Sequence, residues 1–194
     1  MSSSRQVECR DKLTGILALI AGVILFAIML YCGTGTYWVL GNESFIPYMN
    51  SNTVYEHVFS AGITISGVLI ALYGTDLLLL RRNGVLSASG IFFIITGITA
   101  MYLTTIVTSW DFHGDLMIVM ALSALISVIL LTANDWMDGR FFTGGVSMVL
   151  IFAVFALLAT NGIFEIYIPA MYGFSAWLVL QGVKCLSGKP TINK

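Results

Sequence analysis

Both histidines of this 194-residue chain lie beside acidic residues, a combination that can bind a divalent metal ion. His57 directly follows Glu56, and His113 lies between Asp111 and Asp115 in an alternating pattern. Imidazole and carboxylate groups are common ligands of Zn²⁺ and related ions. The sequence therefore allows a divalent-metal site in which His57, His113 and Asp115 are the ligands.

Such a site predicts hydrolysis as its chemistry. A bound metal ion would activate water, and Glu165 or Asp111 would act as the general base. A b-type haem held by His57 and His113 satisfies only the minimal requirement of two axial ligands, so haem is the less expected cofactor. The simpler interpretation is that these groups are hydrated at a membrane boundary, where acids also favour helix N-termini.

The elements that would position these residues are long apolar helices. The chain is 58% hydrophobic, only 10% charged and has a mean hydropathy of +0.92, whereas soluble domains carry about 25% charged residues. Runs of about 20 apolar residues span a bilayer as helices. The sequence predicts an all-α polytopic membrane protein, a single transmembrane domain over residues 1–194 with six spans: Leu13–Cys32, His57–Leu80, Val85–Val107, Asp115–Ala133, Phe141–Thr160 and Ile166–Cys185.

The connections between these spans predict three helical hairpins. Most of them are short, which makes consecutive spans antiparallel neighbours. The one long connection is the loop Gly33–Glu56, which is rich in Gly, Tyr, Trp, Asn and Ser and is predicted to lie outside the membrane.

Basic residues predict the orientation. All nine Lys and Arg residues fall on one side of the predicted spans, which the positive-inside rule assigns to the cytoplasm together with both termini. They are Arg5, Arg10, Lys12, Arg81, Arg82, Arg140, Lys184, Lys189 and Lys194. The chain has no basic patch of the kind that binds nucleic acid.

Acidic residues collect on the opposite side. If the hairpins close into one bundle, the outer ends of the even-numbered spans would share a vestibule that concentrates cations. This predicted vestibule contains Glu56, His57, Asp111, His113, Asp115 and Glu165.

Within the predicted spans, Asp76 is the acid closest to the membrane interior. An intramembrane carboxylate indicates a functional group, but the favoured interpretation is that Asp76 pairs with Arg81 or Arg82 at the inner edge of the membrane. Glycines seven residues apart indicate close helix packing. Such pairs occur in three spans: Gly15 and Gly22, Gly67 and Gly74, and Gly90 and Gly97.

A short motif, Tyr55-Glu56-His57-Val58-Phe59-Ser60-Ala61-Gly62, opens the second span. With the His-bearing outer loop before span four, and Glu165 before a Trp-containing last span, the chain resembles an uncharacterised family of six-span bacterial and archaeal membrane proteins. It has a looser likeness to the Frag/DRAM/Sfk group. The resemblance implies six helices and no known reaction.

These observations leave three hypotheses. The first is a non-enzymatic scaffold, lipid-contacting protein or accessory subunit, with the lipid bilayer, other membrane subunits or a second copy as partners and no catalytic residues. The second is a small cation or solute transporter that uses the acidic outer vestibule. The third is the metal-dependent membrane hydrolase.

Overall fold

The computed structural model describes residues 2–40, 53–80, 83–105 and 110–187. Apart from Asn83 and a short turn at 138–140, this part of the chain is helical. Its helices are α1 (Ser2–Leu40), α2 (Thr53–Leu80), α3 (Gly84–Thr105), α4 (Trp110–Met137) and α5 (Phe141–Ser187). Side chains are described for residues 12–31, 57–80, 83–104, 115–152 and 170–187.

Within the described residues, four helices are long and apolar enough to cross a membrane, and each matches one of the first four predicted spans within a few residues. They are Lys12–Tyr31, His57–Leu80, Gly84–Thr104 and Asp115–Met137. A shorter apolar stretch covers Phe141–Phe152. Large apolar side chains such as Leu72, Leu79 and Leu122 are about half exposed on the outside of these helices. The chain is therefore a membrane protein whose helices contact lipid.

Helices α1 and α2 extend beyond the predicted spans. Residues 33–40 and 53–56 are helical although the sequence predicted a loop over Gly33–Glu56. Hydropathy marks only the part of a helix that crosses hydrocarbon, and a helix can continue past that boundary without an apolar pattern.

The first and last parts of α5, residues 141–152 and 170–187, lie side by side and are called its first and second arms. Trp177 Nε1 donates to Ser147 Oγ at 2.7 Å across 30 positions of sequence, which would be about 45 Å apart along a straight helix. A Cβ atom built on Gly173 would lie 3.6 Å from Leu150 Cδ2. The first arm (141–152) and the second arm (170–187) are therefore antiparallel.

The helices pack in chain order and the second arm closes the bundle against α1. The α2–α3 contact is the most extensive, and the contact between α4 and α5 is the smallest of the major ones. One end of the bundle contains Asn83 and is called the Asn83 end below. The other contains His57 and is called the His57 end.

The predicted glycine pairs lie at the closest helix contacts. A Cβ on Gly67 would lie 2.8 Å from the carbonyl oxygen of Gly97, and one on Gly74 would lie 2.6 Å from that of Gly90. On α1, a Cβ on Gly22 would lie 2.7 Å from the carbonyl oxygen of Ser175. These distances confirm the prediction that the glycines permit close helix packing.

Aromatic side chains fill the centre of the bundle. Trp177 stacks on Phe93 at 5.9 Å and on Phe174 at 6.0 Å between ring centroids, and Tyr73 meets Phe93 edge to face at 5.0 Å. Trp177, Phe93 and Tyr73 are essentially buried. This aromatic layer separates a cavity towards the His57 end from a cluster of polar side chains towards the Asn83 end.

Candidate functional site

A cavity of about 370 Å³ lies in the membrane-spanning part of the bundle, on the His57 side of Trp177. Its walls come from all five helices, including both arms of α5, and they include Ile63, Ser66, Ala100, Met120 and Phe174. Small-molecule sites commonly measure about 300–1,000 Å³, so the cavity is large enough for part of a lipid or a comparable ligand.

The space exists because facing positions carry small side chains. Ala124 of α4, Ala100 of α3, and Ala170 and Gly173 of the second arm all line it. Among the described side chains, these small residues leave space between α4 and α5 at this depth.

The cavity also reaches the perimeter of the bundle. Its lining includes Ile118 and Leu122 of α4, which are 44% and 54% exposed. These residues belong to the outer, lipid-facing surface of a membrane-spanning helix. An acyl chain or another apolar molecule in the bilayer can therefore enter from the side.

One polar side chain in this lining has no partner. Ser66 is 1% exposed, and its hydroxyl makes no hydrogen bond within the described part of the chain. Thr96, also in the lining, bonds both the Phe92 carbonyl and Ser123 Oγ, each at 2.9 Å. Ser66 is thus an unsatisfied donor and acceptor in an otherwise apolar wall.

A cluster of polar side chains lies on the other side of the aromatic layer, towards the Asn83 end. Lys184 Nζ contacts Asp135 Oδ1 at 2.7 Å and Oδ2 at 2.9 Å, and the Asp135 side chain is 1% exposed. A buried carboxylate needs such a partner, because removal of the partner leaves a charge without solvation. The pair joins the end of α4 to the second arm of α5.

The end of α4 fixes the position of Asp135. Gly139 has φ of +72°, and the Arg140 N–H donates to the Asp135 carbonyl at 2.7 Å while the Gly139 N–H donates to Trp136. This is a Schellman motif, in which glycine takes the left-handed conformation that side chains disfavour. It ends α4 directly after the carboxylate.

Asparagines bind the two turns at this end together. Asn83 Oδ1 accepts from the Leu86 N–H at 2.7 Å and so caps the N-terminus of α3. Its Nδ2 donates to Asn134 Oδ1 at 2.6 Å, and Asn134 donates to Asp138. The α2–α3 and α4–α5 connections are therefore held side by side.

Asp76, predicted from sequence as the intramembrane acid, is buried and accepts a hydrogen bond from Thr14 Oγ1 of α1. The proposed partners Arg81 and Arg82 lie outside the described residues.

Gln181 is the second unsatisfied group. It is 0% exposed, it lies between Trp177 and Lys184 along the second arm, and neither Oε1 nor Nε2 has a partner in the described part of the chain. The sequence analysis missed Gln181, Asp135 and Lys184 as a group. Gln181 could have been found, since it interrupts the apolar run Ile166–Cys185 just as Asp76 interrupts its own.

The predicted outer site is only partly visible. His57 and Asp115 are exposed at the His57 end. The side chains of the other four members lie outside the described residues: Glu56, Asp111, His113 and Glu165. Among the side chains that are described, no group of three His, Cys, Asp or Glu residues could hold a metal ion.

Comparison with known proteins identifies no relative of this chain. No family model matches the chain, and neither a curated protein nor a solved structure matches it.

Proposed function

We propose that this protein is a non-enzymatic membrane protein that binds a lipid or a similarly apolar molecule in the cavity between α4 and α5. The observation that carries the proposal is the position of the opening: an apolar cavity of about 370 Å³ reaches the lipid-facing surface at Ile118 and Leu122. Water has no favourable place in such a cavity. The surrounding medium at that depth is hydrocarbon, so a hydrocarbon group is its natural occupant.

The described parts of α4 and α5 contact each other less than the other neighbouring helices do, which supports the same function. Lipid supplies no hydrophobic drive for helix association, so tight packing is the usual source of stability in membrane bundles. The interface between α4 and α5 is packed less closely than the other helix interfaces, and such an interface is well suited to hold a ligand.

Retention of a ligand during purification tests the proposal. Native mass spectrometry of protein in mild detergent should detect one apolar molecule bound to the wild type. Ala124→Phe fills the cavity and should abolish retention. Ile129→Phe is the matched control, because Ile129 lies on the same helix, is 40% exposed and does not line the cavity. A ligand-free wild type, or equal retention by Ala124→Phe, would refute the proposal.

We also propose six spans in three hairpins, with both termini and the Asn83 end in the cytoplasm. The antiparallel arms of α5 support the fifth and sixth spans, and the basic residues support the orientation. In a background without native cysteines, Gly84→Cys should be labelled only from the cytoplasmic side and Ser51→Cys only from outside. Gly84 suits this test because it is exposed and has open space around it.

The transporter and the metal-dependent hydrolase remain predictions of the sequence, as does membership of the six-span family. The first two depend on the outer vestibule, most of whose side chains lie outside the described residues. Ion flux in proteoliposomes and elemental analysis of purified protein test them separately from ligand retention.

A further inference from the structure

The unpartnered hydroxyl of Ser66 differs from those of most other Ser and Thr side chains in the described helices. Several of these bond a carbonyl one turn earlier in their own helix, as Thr75, Thr99, Ser127 and Thr132 do at 2.7–2.9 Å. Self-bonding of this kind satisfies a hydroxyl where water is absent. Ser66 is buried like Thr99, Ser127 and Thr132 but makes no such bond.

The position of Ser66 indicates what its partner is. The residue lines the cavity, and its hydroxyl can turn about a single side-chain torsion. The saturated tail of a bilayer lipid has no polar atom at this depth and would leave the hydroxyl unsatisfied. A ligand with an oxygen atom inside the membrane would satisfy it, and a buried hydroxyl without a partner is costly.

Other parts of the lining restrict the ligand further. Among the described side chains, no charged residue lines the cavity, which favours a neutral ligand. Phe174 and Trp177 form an aromatic wall in which the two rings lie within 15° of parallel, and flat rings stack on such walls. Met117, Met120 and Met171 add flexible apolar side chains that adapt to a ligand's shape.

We propose that the ligand is a neutral ring compound of the quinone type, with a hydrocarbon tail and a carbonyl oxygen on its ring. Ser66 donates a hydrogen bond to that oxygen. This inference rests on the proposed function, because it names the class of molecule that occupies the same cavity. It adds the hydrogen bond from Ser66, which an ordinary acyl chain would not accept.

Two probes that share a six-membered ring and a decyl tail test this contact. Decylubiquinone carries carbonyl and methoxy oxygens on its ring, whereas decylbenzene has no oxygen. Affinity for each follows from the rise of melting temperature with ligand concentration in detergent. Ser66→Ala should bind decylubiquinone about three- to tenfold more weakly than the wild type. Its affinity for decylbenzene should be unchanged.

Thr99→Val is the control, because Thr99 is a buried hydroxyl that bonds Ile95 and does not line the cavity. It should bind both probes as the wild type does. Equal binding of decylubiquinone by Ser66→Ala and the wild type would overturn the inference. If Ala124→Phe still prevented the binding of decylubiquinone, ligand binding in the cavity would be supported and only the hydrogen bond from Ser66 would be rejected. If the wild type bound neither probe and retained no lipid, the proposed function would fail too.

Discussion

The α2–α3 interface and the interface between α4 and α5 are built in opposite ways. Helices α2 and α3 touch along their length at two glycine crossings, where backbone nearly meets backbone. Helix α4 and α5 are joined at the Asn83 end by the Asp135–Lys184 pair, and a cavity separates them nearer the His57 end. The α2–α3 interface gains stability from close backbone contact. The α4–α5 interface is held by an ion pair at the Asn83 end and contains the cavity nearer the His57 end.

This difference separates structure from function within a single bundle. Close backbone packing leaves no space for a ligand between α2 and α3, although Ser66 and Gly67 of α2 line the cavity beside them. An interface held at one end can open at the other without loss of the fold. We therefore place the proposed ligand-binding role at the second interface, where the Asp135–Lys184 pair holds α4 to α5 beyond the cavity.

The largest expected effect comes from Gly67→Leu. The new side chain would collide with the Gly97 carbonyl and with Met101, and overpacking against backbone costs on the order of 3 kcal/mol or more. The yield of folded protein, measured by size-exclusion chromatography, should fall sharply. Replacement of Leu79 by Ala, at a 50% exposed lipid-facing position on the same helix, should have little effect. Equal tolerance at both positions would show that the glycine interface is not close-packed in the membrane.

The next effect concerns the ion pair. Lys184→Met leaves the Asp135 carboxylate buried without its cation, a change that costs roughly 3–5 kcal/mol in comparable pairs. The melting temperature should fall substantially. The double variant Lys184→Met with Asp135→Leu should recover most of the loss, because both charges are then removed. If the single variant melted like the wild type, the pair would not hold α4 to α5.

A smaller effect is expected at the cavity wall. The Cβ added by Gly173→Ala meets only Leu150 at 3.6 Å, an ordinary contact, and alanine favours helix by up to about 1 kcal/mol over glycine. The variant should be neutral or slightly more stable. Gly74→Ala, whose Cβ would lie 2.6 Å from the Gly90 carbonyl, should be less stable than the wild type. Equal changes at the two glycines would remove the contrast between the interfaces.

A stabilising effect is predicted at Gln181. Its buried amide has no partner in the described chain, and a methionine of similar shape would remove an unsatisfied polar group worth about 1–3 kcal/mol. Gln181→Met should raise the melting temperature by a few degrees. A marked fall would mean that water or a ligand satisfies the amide in the membrane.

Much of the helical framework could be predicted from sequence, because hydropathy and helix spacing are local properties. The predicted span His57–Leu80 has the same bounds as the apolar part of α2. Glycines seven residues apart correctly indicated the close contacts at Gly67 and Gly74. Both patterns can be read within a single helix.

The candidate site could not be predicted in the same way. Asp135 and Lys184 are 49 positions apart, and nothing in either local sequence marks the other as its partner. The cavity arises where Ala100, Ala124 and Gly173 face one another across three elements. Empty space depends on how helices are placed together, and small residues within a span equally indicate close packing.

An experimental structure of the protein in a lipid nanodisc tests the central claim most directly. The proposal that the α4–α5 interface holds an apolar ligand predicts elongated density between Ser66, Met120 and Phe174 that continues to the opening beside Leu122. A bundle in which α4 has closed against the second arm, with side chains filling the space and no ligand density, would contradict it.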